Sequence, residues 1–383
     1  MEYRKFGKTD WKVSALGFGA MRLPVLEKKQ ANIDEPLAKR MISYAIDHGV
    51  NYIDTAYGYH EEQSELFVGR ILKEGGYRNK VKLATKMPVW LVQTAADFDR
   101  YLNEQLHKLQ TDHIDCYLLH GLNQRYWPKI RDLNVGKWAE GAMTDGRIGR
   151  FGFSFHDDFD TFKDIIDTYD HWDLCQIQYN FMDVEFQAGI KGLKYAAEKG
   201  LAVVIMEPLR GGRFTKDPSP QIKDILVKAP VERSMAEWAF QWLYDQPEVS
   251  VVLSGMSAME HVEENIGIAE RSATNSLSAD EMKIIDELRD AYKGLAPIAC
   301  TKCGYCLPCP GGVNIPRIFE LYNDVFIYNE KATPRMRYRQ MPAEQQADQC
   351  TECGVCETLC PQNIEIAEWL KKVRAFLGPK PKA

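Results

Sequence analysis

Between residues 15 and 270 the chain repeats one pattern eight times: a short apolar run, a break, then apolar residues at helical spacing. The apolar runs fall at 15–19 and near 51–54, 81–85, 113–118, 148–153, 174–178, 202–206 and 249–253. Helices are expected around Leu37, Met41, Tyr44, Ala45 and Ile46, and near 62–73, 96–108, 129–144, 159–168, 187–199, 231–244 and 259–269. Short apolar strands alternating with helices imply parallel pairing and right-handed crossovers. Eight such units fit an α/β architecture closed into a (β/α)8 barrel, whose functional groups sit at the C-terminal strand ends. An open doubly wound sheet is the alternative. It would carry Gly-x-Gly-x-x-Gly in its first turn; Gly17-Phe18-Gly19-Ala20-Met21-Arg22 stops after the second glycine, which favours the barrel.

Residues 2–14 alternate like a small hairpin turning at Gly7-Lys8-Thr9-Asp10. The stretch 207–230 is long for a strand–helix connection, and connections of that length are usually functional covers. A further helix is expected over 279–292, and Gly294-Leu295-Ala296-Pro297 marks a boundary. The expected domains are 1–293, the TIM-type barrel with its N-terminal β-hairpin, and 294–383. A net charge of −6 argues against non-specific nucleic-acid binding, which needs a basic surface. No apolar run is long enough to span a membrane. The N-terminus lacks the apolar core of a signal peptide, so a cytoplasmic location is expected.

Three strand ends carry chemistry. Asp54 ends Tyr52-Ile53-Asp54 and is followed by a glycine-bearing loop with Tyr57 and Tyr59; Lys86 and His120 end the next two strands. Each alone has a bland account: a turn-capping acid, a packing aromatic, a solvated lysine or histidine. Their coincidence at adjacent strand ends gives them meaning. A phenol near pKa 10 is a poor proton donor at neutral pH unless a positive charge stabilises its anion. Lys86 can supply that charge, Asp54 can hold Lys86 ionised, and His120 can polarise a carbonyl oxygen.

The set Asp54, Tyr59, Lys86 and His120 resembles the tetrad of the aldo-keto reductases in order and spacing. Gly149-Arg150-Phe151-Gly152-Phe153-Ser154, Gln176-Ile177-Gln178-Tyr179-Asn180 and Glu264-Asn265 extend the resemblance over residues 1–292. It implies carbonyl reduction, or the reverse, with NADP or NAD as hydride carrier and Tyr59 as general acid. It also implies nicotinamide contacts from Ser154 and Gln176, with Met206 on the ring face and Pro208, Leu209 and Arg210 continuing that loop. Gly255, Ser257, His261, Glu264 and Asn265 match the segment that holds the adenosine end. Relatives often carry Lys and Arg there for a 2′-phosphate, where this chain has Gly255 and His261. The resemblance therefore leaves NADP or NAD open, with Arg210 as a compensating cation.

Eight of the ten cysteines lie within residues 300–360. Thiols at that density in a chain without a secretion signal point to metal. Cys350, Cys353, Cys356 and Cys360 form the C-x2-C-x2-C-x3-C-P run of bacterial ferredoxins; Cys300, Cys303, Cys306 and Cys309 form a variant with two residues before the last cysteine. Zinc prefers two close pairs separated by a longer gap. The ferredoxin resemblance implies a mainly helical C-terminal domain with two [4Fe-4S] clusters. One would be held by Cys300, Cys303, Cys306 and Cys360, the other by Cys350, Cys353, Cys356 and Cys309. Cys116 and Cys175 lie in apolar strands and read as core residues.

The whole resembles the iron–sulfur branch of the aldo-keto reductases. A nicotinamide exchanges two electrons and an iron–sulfur cluster one, so direct exchange between them needs a carrier such as a flavin. Three readings follow: clusters serving a redox partner or a flavin, clusters that only brace the domain, or a non-catalytic redox sensor. The intact tetrad argues against the last.

Overall fold

A computed structural model describes residues 1–300, 302 and 304–379. Strands β1 (Tyr3–Lys5) and β2 (Lys12–Ser14) form an antiparallel hairpin. Eight strands follow: β3 (Leu16–Gly19), β4 (Tyr52–Asp54), β5 (Lys82–Met87), β6 (Ile114–Leu122), β7 (Ile148–Phe155), β8 (Leu174–Gln178), β9 (Ala202–Met206) and β10 (Val249–Ser254). All pair in parallel and in sequence, and β10 closes the ring on β3. This is the expected α/β TIM barrel. Burial on both faces explains the apolar run along Ala202–Met206, while Leu174–Gln178 is equally buried but places Gln176 and Gln178 among its apolar residues.

The hairpin plugs the barrel end opposite the strand C-termini. Phe6 and Val13 pack with Tyr52, Leu174, Ala202 and Val251 near the strand starts. The turn needs glycine: Gly7 has φ +54, and a Cβ there would stand 2.4 Å from the Ala202 nitrogen. Helices between the strands are amphipathic, and some are capped: Asp34 accepts from the Leu37 N–H and Ser234 from the Glu237 N–H. The helix expected over 129–144 is two, Trp127–Asp132 and Val135–Thr144, because Asn134 is left-handed at φ +59.

The chain divides into two compact units, one of Met1–Gly211 with Arg233–Leu277 and one of Gly212–Glu232 with Ser278–Ala383. The segment 212–232 and the helix Ala279–Gly294, which the sequence reading groups with the barrel, pack within the second unit, where a short helix Pro220–Val227 meets Ala279–Gly294. That unit has its own apolar core, including Val313, Ile318, Phe319, Leu321, Tyr338, Leu370 and Val373. The basic, proline-bearing stretch Ala332–Gln340 is helical. Pro334 is tolerated in the first turn, and the Glu330 carboxylate accepts the Thr333 N–H at 3.0 Å. Among the described residues no helix is long and apolar enough to cross a membrane.

Candidate active site and cysteine clusters

The C-terminal ends of β4, β5 and β6 deliver Asp54, Lys86 and His120 to one place. Lys86 is fully buried; its Nζ donates to Asp54 Oδ1 at 2.7 Å, Asp54 Oδ2 at 2.8 Å and the Thr55 carbonyl at 2.8 Å. The same ammonium donates to the Tyr59 hydroxyl oxygen at 3.3 Å. The phenolic proton thus remains available to a substrate. Tyr57 does something else: its hydroxyl donates to Glu104 at 3.1 Å, and its ring packs edge-on to Tyr101. Five residues after Asp54, not three, is the position that reaches the lysine.

Burial alone would depress the Lys86 pKa, but Asp54 and Tyr59 overturn it and the net shift is upward. Burial raises Asp54 against the pull of Lys86. Tyr59 is also raised: burial outweighs the downward pull of the ammonium. The expectation that Lys86 makes this phenol more acidic than an ordinary tyrosine is therefore not met, because burial outweighs the ammonium. The resting phenol stays protonated, and Lys86 offsets the cost of its anion.

His120 lies within a change of register between β6 and β7, between Leu119 and Leu122, with Gly121 at φ +66. Such irregularities re-aim side chains at barrel rims. Its ring meets Tyr59 edge-on, with centroids 5.9 Å apart, and Trp90 at 5.1 Å. Burial, then the charges of Lys86 and His156, lower its pKa to about 3. The imidazole is neutral, and its buried Nδ1 has no hydrogen-bond partner among the described residues. We expect kcat/KM to show no limb from His120 between about pH 5 and 8. A limb that vanishes in His120→Gln would show the imidazole to be charged. The same depression makes the fold lose stability as pH falls from about 6.5, because the unfolded histidine binds its proton first.

Around the barrel, Ser154 and Gln176 are register partners on β7 and β8. Ser154 Oγ accepts from the Gly121 N–H at 2.8 Å, which ties it to the His120 strand end. Gln176 Nε2 lies 3.6 Å from the Met206 sulfur, while its buried Oε1 has no hydrogen-bond partner among the described residues. An orphaned amide oxygen beside a thioether suits a carboxamide and a ring face. Pro208 and Leu209 follow, and Arg210 pairs with Asp183 at 3.3 Å. Beyond β10, Gly255 and Ser257 are exposed, and the Ser257 N–H reaches His261 Nδ1 at 3.4 Å. Glu264 accepts from the Ser234 hydroxyl at 2.6 Å, and the Asn265 amide donates to Ser254 Oγ at 3.0 Å. These last two are thus held by protein partners. The helix Met259–Glu270 starts at Ala258 without a side-chain cap, which leaves N–H groups free for a phosphate.

Sequence reasoning missed a buried polar set behind Lys86. Thr85 donates to Glu65 Oε1 at 2.6 Å, Tyr117 donates to Gln105 Oε1 at 2.6 Å, and Gln105 Nε2 donates to the Lys86 carbonyl at 3.1 Å. Glu65 and Gln105 look like ordinary polar positions on amphipathic helices. Trp90 was also missed; its signal is an aromatic in Met87-Pro88-Val89-Trp90, straight after a functional strand end.

In the second unit a largely apolar pocket is lined by Cys300, Cys306 and Cys360 together with Ile315, Phe319 and Ile366. The fourth expected sulfur there, Cys303, lies outside the described residues. Burial, then the charges of Glu357, Cys309 and Cys350, push the Cys356 thiol up to about 11, which marks Cys309, Cys350 and Cys356 as neighbours. The turn after Cys309 approaches the chain before Cys350 so closely that a Cβ on Gly311 would stand 2.6 Å from the Gln349 carbonyl. Cys353 is exposed. Among the described residues no three His, Cys, Asp or Glu side chains could hold a single metal ion. Soft thiols lining a largely apolar pocket fit a multi-iron cluster. Cys116 and Cys175 are buried in the barrel with pKa values raised by burial, as expected of core thiols.

Residues 15–290 match the aldo/keto reductase family, and residues 299–365 match a 4Fe-4S dicluster domain. The chain is 28% identical over 295 residues to the aldo-keto reductase YhdN of Bacillus subtilis, covering 67% of this chain and 85% of that one. An aldo-keto reductase from Bacillus halodurans, solved in its holo form, superposes with TM-score 0.63 at 27% identity, covering 75% of this chain and 96% of that one. An aldo-keto reductase from Klebsiella pneumoniae, solved in complex with NADPH, shares the fold with TM-score 0.61 at 24% identity, over 76% of this chain and 96% of that one.

Proposed function

From the premise that this chain belongs to the aldo/keto reductase family of oxidoreductases and carries a C-terminal 4Fe-4S dicluster domain, we propose that it interconverts a small carbonyl compound and its alcohol. The observation that carries this reading is one buried ammonium bonded at once to Asp54 and to the Tyr59 hydroxyl. The reduced cofactor, NADPH or NADH, would supply the hydride to the carbonyl carbon when bound. Tyr59 gives its phenolic proton to the carbonyl oxygen as the C=O bond becomes C–O–H. Lys86 stabilises the phenolate left behind, Asp54 keeps Lys86 charged, and neutral His120 orients the oxygen. Solvent then returns a proton to Tyr59; the reverse sequence oxidises an alcohol. Ser154 and the free Gln176 Oε1 would hold the carboxamide, Met206 the ring face, and the residues from Gly255 to Asn265 the adenosine end. Purified protein should consume NADPH or NADH on addition of small aldehydes. No aldehyde-dependent consumption by any of acetaldehyde, methylglyoxal or benzaldehyde would count against the reading.

For the second unit, Cys300, Cys303, Cys306 and Cys360 would hold one [4Fe-4S] cluster, and Cys350, Cys353, Cys356 and Cys309 the other. Such clusters pass single electrons when bound. The unit's own apolar core, and an exposed ligand thiol at Cys353, favour electron exchange with a redox protein or a flavin over bracing. Anaerobic protein should carry about eight irons, and Cys360→Ala should lose the same cluster signal as Cys300→Ala. If Cys360→Ala instead matched Cys350→Ala, the crossed ligation would be wrong. Bleaching of the cluster absorbance by NADPH would support electronic connection.

A further inference from the structure

Arg22 follows β3 and lies down across two glycines from other strand ends. A Cβ built on Gly255, just after β10, would stand 2.9 Å from Arg22 Cδ and 3.1 Å from Cγ. A Cβ on Gly211, in the loop after β9, would stand 3.2 Å from a terminal guanidinium nitrogen. Strand β10 is hydrogen-bonded to both β3 and β9, so three consecutive staves bring these residues together at the C-terminal face. The arginine is exposed and makes no hydrogen bond or ion pair among the described residues. Its stem is fixed while its N–H donors remain free, the arrangement that suits an anion. The uncapped start of the helix Met259–Glu270 lies four residues beyond Gly255.

We propose that Arg22 is the cation that meets a phosphate group of the nicotinamide dinucleotide, a specificity-determining residue standing in for the basic side chain that position 255 lacks. The inference rests on the dinucleotide reading above. Gly255 then has a physical role: any side chain there would occupy the space through which Arg22 reaches.

The test uses the full chain with its clusters reconstituted, and measures Kd for NADPH and NADH by quenching of tryptophan fluorescence. Arg22→Gln should weaken NADPH on the order of tenfold with an unchanged Tm, since one charged hydrogen bond is lost. Arg22→Lys should recover part of that. Weakening of NADPH alone would identify the 2′-phosphate as the partner, and equal weakening of NADH the diphosphate; either supports the proposal. Gly255→Ala, whose Cβ crowds the Arg22 stem, should shift Kd in the same direction. Unchanged Kd values in Arg22→Gln, with tight wild-type binding, would overturn this inference alone. A wild-type protein that binds neither dinucleotide would overturn the dinucleotide reading and this inference with it.

Discussion

Tyr59→Phe should lower kcat for aldehyde reduction by about 10²–10⁴ while leaving the Kd for NADPH within about twofold. The phenol oxygen accepts from Lys86 at 3.3 Å, so its own proton is the one free to leave. Phenylalanine keeps the ring that meets His120 edge-on but has no proton to give. The loss should fall on kcat, because the missing interaction strengthens only as charge develops on the substrate oxygen. Stability should hardly move, since one partly buried hydroxyl is removed and Lys86 keeps Asp54 and Thr55 as partners. Single-turnover rates with a chosen aldehyde, alongside a fluorescence titration of NADPH, separate these outcomes. An equal rise in Kd and fall in rate would make Tyr59 a binding residue instead.

Lys86→Met should damage both activity and fold. Without the ammonium the phenolate has no stabilising charge, at a cost of about 10²–10³ in kcat. Asp54, almost wholly buried, is then left without a counter-charge, which costs about 3–5 kcal/mol. Asp54 would respond by holding a proton. Its folded pKa, already raised by burial, rises further once the pull of Lys86 is gone. The sign follows: the unfolded carboxyl ionises near 3.9, so the variant is least impaired below that pH and loses ground as pH rises towards the folded pKa. Asp54→Asn in the same chain should restore much of the stability and none of the rate. Urea unfolding at acidic and neutral pH checks both claims. A Lys86→Met variant as stable as wild type at pH 7 would mean that the pair is solvated rather than buried.

The barrel, and the meeting of Asp54, Tyr59, Lys86 and His120 at its strand ends, were legible for a physical reason. Parallel strands buried on both faces are rich in apolar residues, and an ionisable residue near a strand's C-terminal end stands out against the run. Asp54 ends its strand, and Lys86 and His120 lie within two residues of the ends of theirs. The thiol spacing was equally plain, because ligands wrapping a cluster recur at fixed intervals. Other features had no local signature. The helix Ala332–Gln340 buries only Pro334 and Tyr338, so it carries no apolar stripe to read. Asn134 breaks a helix through a backbone angle, which an otherwise helical pattern conceals. Glu65 and Gln105 are polar residues on the buried faces of their helices, and only the fold shows what they meet there, Thr85 and the Lys86 carbonyl. Arg22 is the extreme case: Gly211 and Gly255 create its bed, and they lie far away along the chain.

The phenol–ammonium assignment stands on the claim that the barrel transfers hydride to a carbonyl carbon. Incubating the protein with an aldehyde and NADPH deuterated at the transferable C4 position, then examining the alcohol by mass spectrometry and NMR, tests that claim most directly. The product should carry one deuterium on the carbinol carbon and a solvent-derived proton on oxygen, and Tyr59→Phe should suppress its formation. An alcohol formed without that deuterium, or at an undiminished rate in Tyr59→Phe, would contradict the account.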